Sequence, residues 1–543
     1  MKIKIIATIL IAGVLLSGCS SDTGNMSGTD ARDKKEEPVK LTYAKMMNSN
    51  ASSGVKSGQT PEENDFIDYL KNEKNLDLTL AWSALDEDYQ NKLSLNIAAG
   101  NLPDFFEVVD YDTFRQLVAN GIAADVTDAY NSKASDLLKE YNESSGGRYN
   151  DAVTIDGRLY GIPSGNMGYQ QQILWLRADW LSNLGLETPQ SMEELEEVLR
   201  AFTEDDPDGN DADDTFGLTV NATKPVSGTS VGGVYGLDPI FYAMNAFPQQ
   251  WMEDDNGDIY YGSIAENMKA ALEILQKWYT KGYIDKQFPA RIGTGETLGT
   301  ITSGSGGAFF GPWWSFPNDA AVLQQDWIPV NCPLDSEGKY NYVELSPFSH
   351  VFVVNQKCEN YEAVVEAICT SLDAGRGKDR EGYKILQDIG NSNGGYVTPL
   401  GLWTIDYYDI VPKLGKACKD NVDNGSYEAY TGLTDYDKVE IENCRKWATG
   451  EKKSNALQWS YYTRVLASNI LQNEECNPIS AAYYYTTESS ANILPSLDEM
   501  EDEMYFKIIT GEKNVDYFDE FVEQWHKLGG DILTGEVEEA AEK

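Results

Sequence analysis

A chain of 543 residues is too long for one hydrophobic core, so roughly two or three domain-sized units are expected. Its composition is ordinary for a globular protein, 41% hydrophobic and 24% charged, but rich in tyrosine (32) and tryptophan (12). The formal charge of -44 sets it against nucleic acid and anionic lipid as partners, and against a polyanionic ligand unless a local basic pocket overrides it.

Lys2 and Lys4 precede an apolar run over 5–16, and Leu16-Ser17-Gly18-Cys19 closes it with small residues, the layout of a secretory signal over 1–18. The run is too short to span a bilayer comfortably. The Leu-Ser-Gly-Cys ending resembles a bacterial lipobox, which implies that Cys19 becomes the acylated (palmitate-bearing) first residue of a lipoprotein anchored to the cell membrane. Two acyl chains anchor a protein stably where one does not. A plain secretory signal with a chance cysteine is the alternative. Residues 19–37 are small, polar and charged, a flexible tether.

Folded structure is expected from Val39, with a strand through Leu41 and Tyr43 and then a polar loop containing Asn50. A helix within 61–75 precedes the alternating Leu76, Leu78, Leu80 and Trp82, a half-buried strand. The next helix, 86–99, stops at Gly100, and 105–109 reads as a buried strand. Strand–helix–strand–helix order implies a parallel sheet covered by helices. Ligands bind beyond the carboxyl ends of such strands, which makes Asp110 and Tyr111 candidate cleft residues.

Asp156-Gly157 is a turn, 160–163 is extended ahead of Pro163, and Ile173, Leu174, Trp175 and Leu176 form a short apolar run of strand length. Ser191 to Glu194 is a capping box, and Leu195, Val198, Leu199 and Phe202 line one face of the helix it opens. A hairpin turn is expected within 254–261 and an amphipathic helix over 267–281. The glycine-rich 293–311 reads as a flexible connection and lacks the Gly-Lys-[Ser/Thr] ending of a phosphate loop. Trp313 and Trp314 follow Gly-Pro; if the chain is extended there they cannot both enter one core layer, so one is expected on an exposed loop. Further on come a strand at 351–354, a helix over 361–372, a crossover near Trp403, and a largely helical C-terminal third. That last third includes an aromatic loop formed by 483–485 and 492–495.

Asp206, Asp208, Asn210 and Asp214 occupy positions 1, 3, 5 and 9 of an acidic loop with Ala212 at position 7. Hard oxygen donors at alternating positions, with a backbone carbonyl at 7, suit Ca2+. The pattern departs from an EF-hand, with Asp211 in place of the glycine at 6 and Gly217 in place of the bidentate Glu at 12; Thr215 is a further candidate ligand. The loop 206–217 is therefore expected to hold a structural calcium ion, and an acidic solvated turn is the alternative. The cysteines Cys332, Cys358, Cys369, Cys418, Cys444 and Cys476 permit disulfides or buried thiols equally. With two histidines, a Cys/His zinc site is not expected.

The phrases DGRLYGIP, LWLRADWLSNLGLETPQSMEELEEVLRAF and DPDGNDADDTFGL, in that order, resemble the LplA-like extracellular solute-binding proteins, a branch of the family 1 oligosaccharide-binding lipoproteins of ABC importers. IAAGNLPDFFEV and the closing IITG…YFDEFVEQWHKLGG match the same family's pattern. The resemblance implies a periplasmic-binding-protein-like type II fold: two α/β lobes, a hinge and an interlobe ligand cleft. The lobes are expected at 38–160 with a return at 346–405, and at 161–345 with most of the helical 406–543. It implies no enzyme but a monomeric lipoprotein that takes an oligosaccharide and delivers it to ABC permease subunits. Trp313, Trp314, Trp403 and Tyr169 would supply rings for the sugar, and Asn50, Asp110, Asn166 and Gln170 hydrogen bonds. Two rivals stay open. One is a secreted glycoside hydrolase or polysaccharide lyase, although no Gly-x-Ser-x-Gly or His-Glu-x-x-His motif occurs. The other is an adhesive or peptide-binding surface lipoprotein.

Overall fold

The computed structural model describes residues 37–47, 58–228, 234–291, 293–320, 323–390, 402 and 406–541. The expectations for Cys19, Asn50 and Trp403, and for the signal and most of the tether, lie outside the described residues.

Strand β1 (Val39–Met47) pairs in parallel with β2 (Leu76–Leu85) on one side and β3 (Phe105–Val108) on the other. Helices Asp65–Glu73 and Asp86–Ala99 connect these strands. Asn64 caps the first, accepting from the backbone N–H of Phe66 and Ile67, and Gly100 ends the second in the left-handed conformation. The edge strand β4 (Ile162–Ser164) belongs to the same sheet, so the chain leaves it only after Ser164 and not at the expected 160.

The second sheet begins with β5 (Ile173–Arg177) and continues with β6 (Phe216–Leu218), β7 (Gly306–Gly311) and β8 (Trp327–Val330), in the spatial order β8-β5-β7-β6. Every residue of β5 and β7 is buried, because both faces of this sheet are covered. Leu174, Leu176, Ala308 and Phe310 pack into a core with the helices Met192–Glu204, Met268–Lys281 and Ser490–Ile509. Trp175, Phe309 and Trp327 pack on the opposite face, into a core continuous with that of the first sheet. Finally β9 (His350–Val354) returns to the first sheet and slots antiparallel between β3 and β4, giving the order β2-β1-β3-β9-β4.

Three expectations are corrected. The stretch 293–311 is not a flexible connection: it forms the helix Thr294–Thr302 and the central strand β7. Its glycines are there for close approach. A Cβ on Gly306 would lie 2.4 Å from Thr219 Oγ1, and one on Gly307 would lie 2.4 Å from the Phe202 ring. Residues 492–495 are not a loop either, but the first turns of the helix Ser490–Ile509, which carries Pro495 inside it at the cost of one backbone hydrogen bond. Within 406–543, only the helices from Ser490 onward pack into the second core. The helices Ile410–Asn424 and Asp435–Ala448 build a small core of their own around Leu414, Cys418, Ile441 and Cys444. All six cysteines from Cys332 to Cys476 are free thiols, five of them buried.

Candidate functional site

Two crossovers join the sheets, residues 165–172 after β4 and 344–349 before β9. The first is held tightly. Gly165 and Gly168 lie against aromatic rings, and a Cβ on them would come within 1.9 Å of Tyr149 and 2.4 Å of Tyr408. Asn166, between them, donates to the carbonyls of Ser346 (3.0 Å) and Phe348 (3.2 Å), tying one crossover to the other.

Beside the crossovers lies a cavity of about 410 Å³. Its walls come from distant parts of the chain: Asn166, Gln249 to Trp251, Tyr261, Glu344 to Ser346, Tyr483 to Thr486, and Asp498. The size and the mixture of rings and polar groups suit a small ligand held at a lobe boundary.

The tyrosine loop closes one side. Tyr485 stacks on Tyr111 with ring centres 3.6 Å apart and planes within 18°. Thr486 donates its hydroxyl to Asp112, and Arg115 donates to the Tyr483 hydroxyl at 3.4 Å. Tyr111, Asp112 and Arg115 all sit on the helix Tyr111–Ala119, which packs on the first sheet; residues three or four apart share a helix face. On its other side the loop is tied to the second lobe, because Ala482 N donates to the Trp251 carbonyl at 2.7 Å. The loop thus clasps the two halves together across the cavity. Burial raises the pKa values of Tyr483, Tyr484 and Tyr485, the last to about 12, so all three present neutral hydroxyls near pH 7.

Glu344 is the best-anchored charge in the lining. Burial pushes its carboxyl up, but hydrogen bonds from Tyr408 (2.7 Å) and Ser480 (2.8 Å), with the Arg148 guanidinium, outweigh that and hold it below the usual range. Arg148 itself lies over the Tyr408 ring at 4.5 Å. Asp498, at the more exposed edge, is shifted the other way: burial raises it and Lys224 opposes. Gln249 sits in a left-handed backbone conformation (φ 59), and its side-chain Nε2 has no hydrogen-bond partner among the described residues. A buried donor left unpaired costs about 1–3 kcal/mol, so this amide is a ready contact for a ligand oxygen.

Of the residues expected to bind a ligand, Asn166 alone lines this cavity among those described. Asp110 caps the helix Tyr111–Ala119, accepting from Thr113 N at 2.7 Å. Gln170 is buried and donates to the Gly168 carbonyl, and Tyr169 leans on Tyr408. Neither tryptophan of the Gly-Pro turn is exposed: Trp313 is 7% exposed beneath the Arg464 guanidinium, and Trp314 is half-buried against the first core. The expectation of one exposed ring fails because helices of the C-terminal third cover this turn. Trp251, Glu344, Gln249 and the tyrosine loop were not expected in the site. Only the run Tyr483-Tyr484-Tyr485 carried a signal, three adjacent rings that no core layer could take.

The acidic loop follows the helix Met192–Glu204. Asp206 accepts from the backbone N–H of Asn210 (3.1 Å) and Asp211 (3.0 Å), and the Asn210 amide donates to Asp208 (3.0 Å) and Asp214 (3.3 Å). Backbone bonds, chiefly from Asp211, hold the Asp206 carboxyl down, while burial and the neighbouring carboxylates raise Asp208. Ala212 is exposed, whereas Thr215 is buried and donates to the Phe202 carbonyl at 2.9 Å, so its hydroxyl is committed outside the loop. Gly217, at the position of the EF-hand Glu, presses on Leu199. The donor types suit calcium, but in this arrangement the carboxylates do not converge: among the described residues no three Asp, Glu, His or Cys side chains gather as a metal site.

Residues 71–347 match the sequence profile of a family described as "Bacterial extracellular solute-binding protein". A relative from Bacillus subtilis, the polygalacturonan/rhamnogalacturonan-binding protein YtcQ, is 24% identical over 555 residues, covering 99% of this chain and 98% of that protein. Among solved structures, the Streptococcus pneumoniae ABC-transporter substrate-binding protein FusA in complex with kestose aligns with a TM-score of 0.57 at 16% identity, over 93% of this chain and 99% of that one. An extracellular solute-binding protein from Bifidobacterium longum subsp. infantis aligns with a TM-score of 0.63 at 13% identity, over 93% and 98%.

Proposed function

Because this chain belongs to the bacterial extracellular solute-binding proteins, with their type II two-lobed fold, we propose that it captures an oligosaccharide in the cavity beside its crossovers and presents it to an ABC permease. The observation that carries this reading is the lining itself: tyrosine rings and Trp251 for the faces of a sugar, with Gln249, Gln250, Asn166, Ser346 and Thr486 for its hydroxyls. Relatives whose names speak of polygalacturonan and of kestose support the saccharide class. Ligand binding would part the stacked Tyr111 and Tyr485, and reclosure of the clasp over the sugar would give the permease a loaded form to recognise. The protein acts as a monomer outside the cytoplasm, held at the membrane through Cys19.

One observation favours keeping the hydrolase reading as the rival. Glu344 and Asp498 line one cavity and shift in opposite directions, as the two carboxylates of a glycosidase do. Titration calorimetry with product analysis separates the two. Stoichiometric binding with no release of shorter sugars supports the transporter reading, and catalytic release overturns it.

We also propose that the loop 206–217 takes a structural Ca2+. The Asp206, Asp208 and Asp214 carboxylates would turn to the ion once the Asn210 amide gives way, and its charge would offset the burial and the neighbouring carboxylates that now raise Asp208. Calcium should raise the melting temperature and chelator should reverse this, with no response in Asp208→Ala. No calcium heat and no chelator effect on the natural chain would overturn it.

A further inference from the structure

The sign of the ligand's charge can be read from the same cavity. We infer that this site selects neutral oligosaccharides and rejects uronates, an inference that rests on the oligosaccharide reading above. Among the described residues, the charged side chains in the lining are carboxylates, Glu344 and Asp498, with no lysine or arginine beside them.

Three cations of this region stand beside acids of the chain. Arg148 stands behind Glu344, bonded to it at 3.4 Å and stacked on Tyr408. Lys224 faces two carboxylates, Asp498 and Asp502. Arg115 is held by the Tyr483 hydroxyl and the charge of Asp112 at the clasp. A uronate carboxylate entering the cavity would shed water, find only neutral donors such as the Gln249 amide and the tyrosine hydroxyls, and meet Glu344 in its ionised form. A neutral pyranose meets the same donors without that cost. The acidic surface adds repulsion at long range, and among the described residues the lining holds no basic pocket to override it. The carboxylates also have a positive use, since ionised acceptors bind sugar hydroxyls more strongly than neutral ones.

This separates the chain from the relative named for polygalacturonan despite its similarity over nearly the whole length. The test is calorimetry of the full chain with matched pairs whose chief difference is the charge at C6. Suitable pairs are oligogalacturonides against their methyl esters and oligomannuronates against manno-oligosaccharides, with neutral xylo- and fructo-oligosaccharides added. The neutral member is expected to bind at least tenfold tighter, about 1.4 kcal/mol. That gap should narrow in Glu344→Gln and Asp498→Asn and widen at low salt. A uronate bound as tightly as its neutral counterpart overturns the inference and leaves the saccharide reading standing. Failure of every saccharide, acid or neutral, overturns the saccharide reading and this inference with it.

Discussion

Replacing Glu501 by glutamine should make the protein more stable at pH 8 but not at pH 4.5. Glu501 is 1% exposed on the helix Ser490–Ile509, where it meets the hydroxyls of Tyr505 (2.6 Å), Ser263 (2.7 Å) and Tyr261 (3.3 Å). Burial pushes its carboxyl from the ordinary 4.5 up to about 7; the three hydroxyls are too few to offset desolvation, and Asp498 and Asp502 add repulsion. A raised carboxyl favours the folded state while it is protonated in both states. Its contribution is therefore complete below about pH 4.5 and is lost as pH rises through about 7. The gap between those two values is worth about 3 kcal/mol at most. Glutamine keeps the shape without a proton to lose, and the hydroxyls can rotate to accept from its amide. Urea midpoints of both proteins, at fixed ionic strength from pH 4.5 to 8, would show the variant gaining on the parent through that window. In melting temperature the gain is a few degrees, because one kcal/mol moves a large chain by less than about 2 °C. A difference that stays flat with pH would refute the reasoning.

Two further outcomes follow from the site. Tyr485→Ala removes one ring of the stack over the cavity and should weaken saccharide binding about tenfold or more in calorimetry, with a faster off-rate in stopped flow, since it also opens the clasp. Gly165→Ala places a methyl within 1.9 Å of the Tyr149 ring and should destabilise by about 2 kcal/mol or more in thermal unfolding, because the crossover cannot move away without breaking the Asn166 bonds.

Much of the scaffold was legible from local pattern. Leu195, Val198, Leu199 and Phe202 are buried as their spacing requires, and Gly100 and Gly282 end their helices in the left-handed conformation. The capping box is half formed: Ser191 accepts from Glu194 N, but the Glu194 carboxylate accepts from Gln190 N and not from the cap itself. What the pattern misses is what a residue packs against. Glycine at 306 and 307 reads as freedom, yet it serves the approach of Thr219, Phe202 and Trp180. The site was the hardest part to read because its walls gather residues from 166 to 498, and no window of sequence reports that meeting. Trp313 had the right chemistry for a sugar platform and is covered by Arg464, a partner about 150 residues further along the chain.

The place of β9 in the first sheet governs the order in which the molecule can be assembled. Its residues, His350–Val354, fill the gap between β3 and β4, which are otherwise not neighbours. During synthesis from the N-terminus, β1 to β3 therefore wait with an open edge until His350–Val354 emerges. The strands of the second sheet, β5 to β8, all emerge within that waiting period, from Ile173 to Val330. The first sheet is thus complete once β9 emerges, whereas the second core still waits for the helix Ser490–Ile509, so the half inserted into the first is expected to finish folding last, with slow kinetics set by that long-range packing.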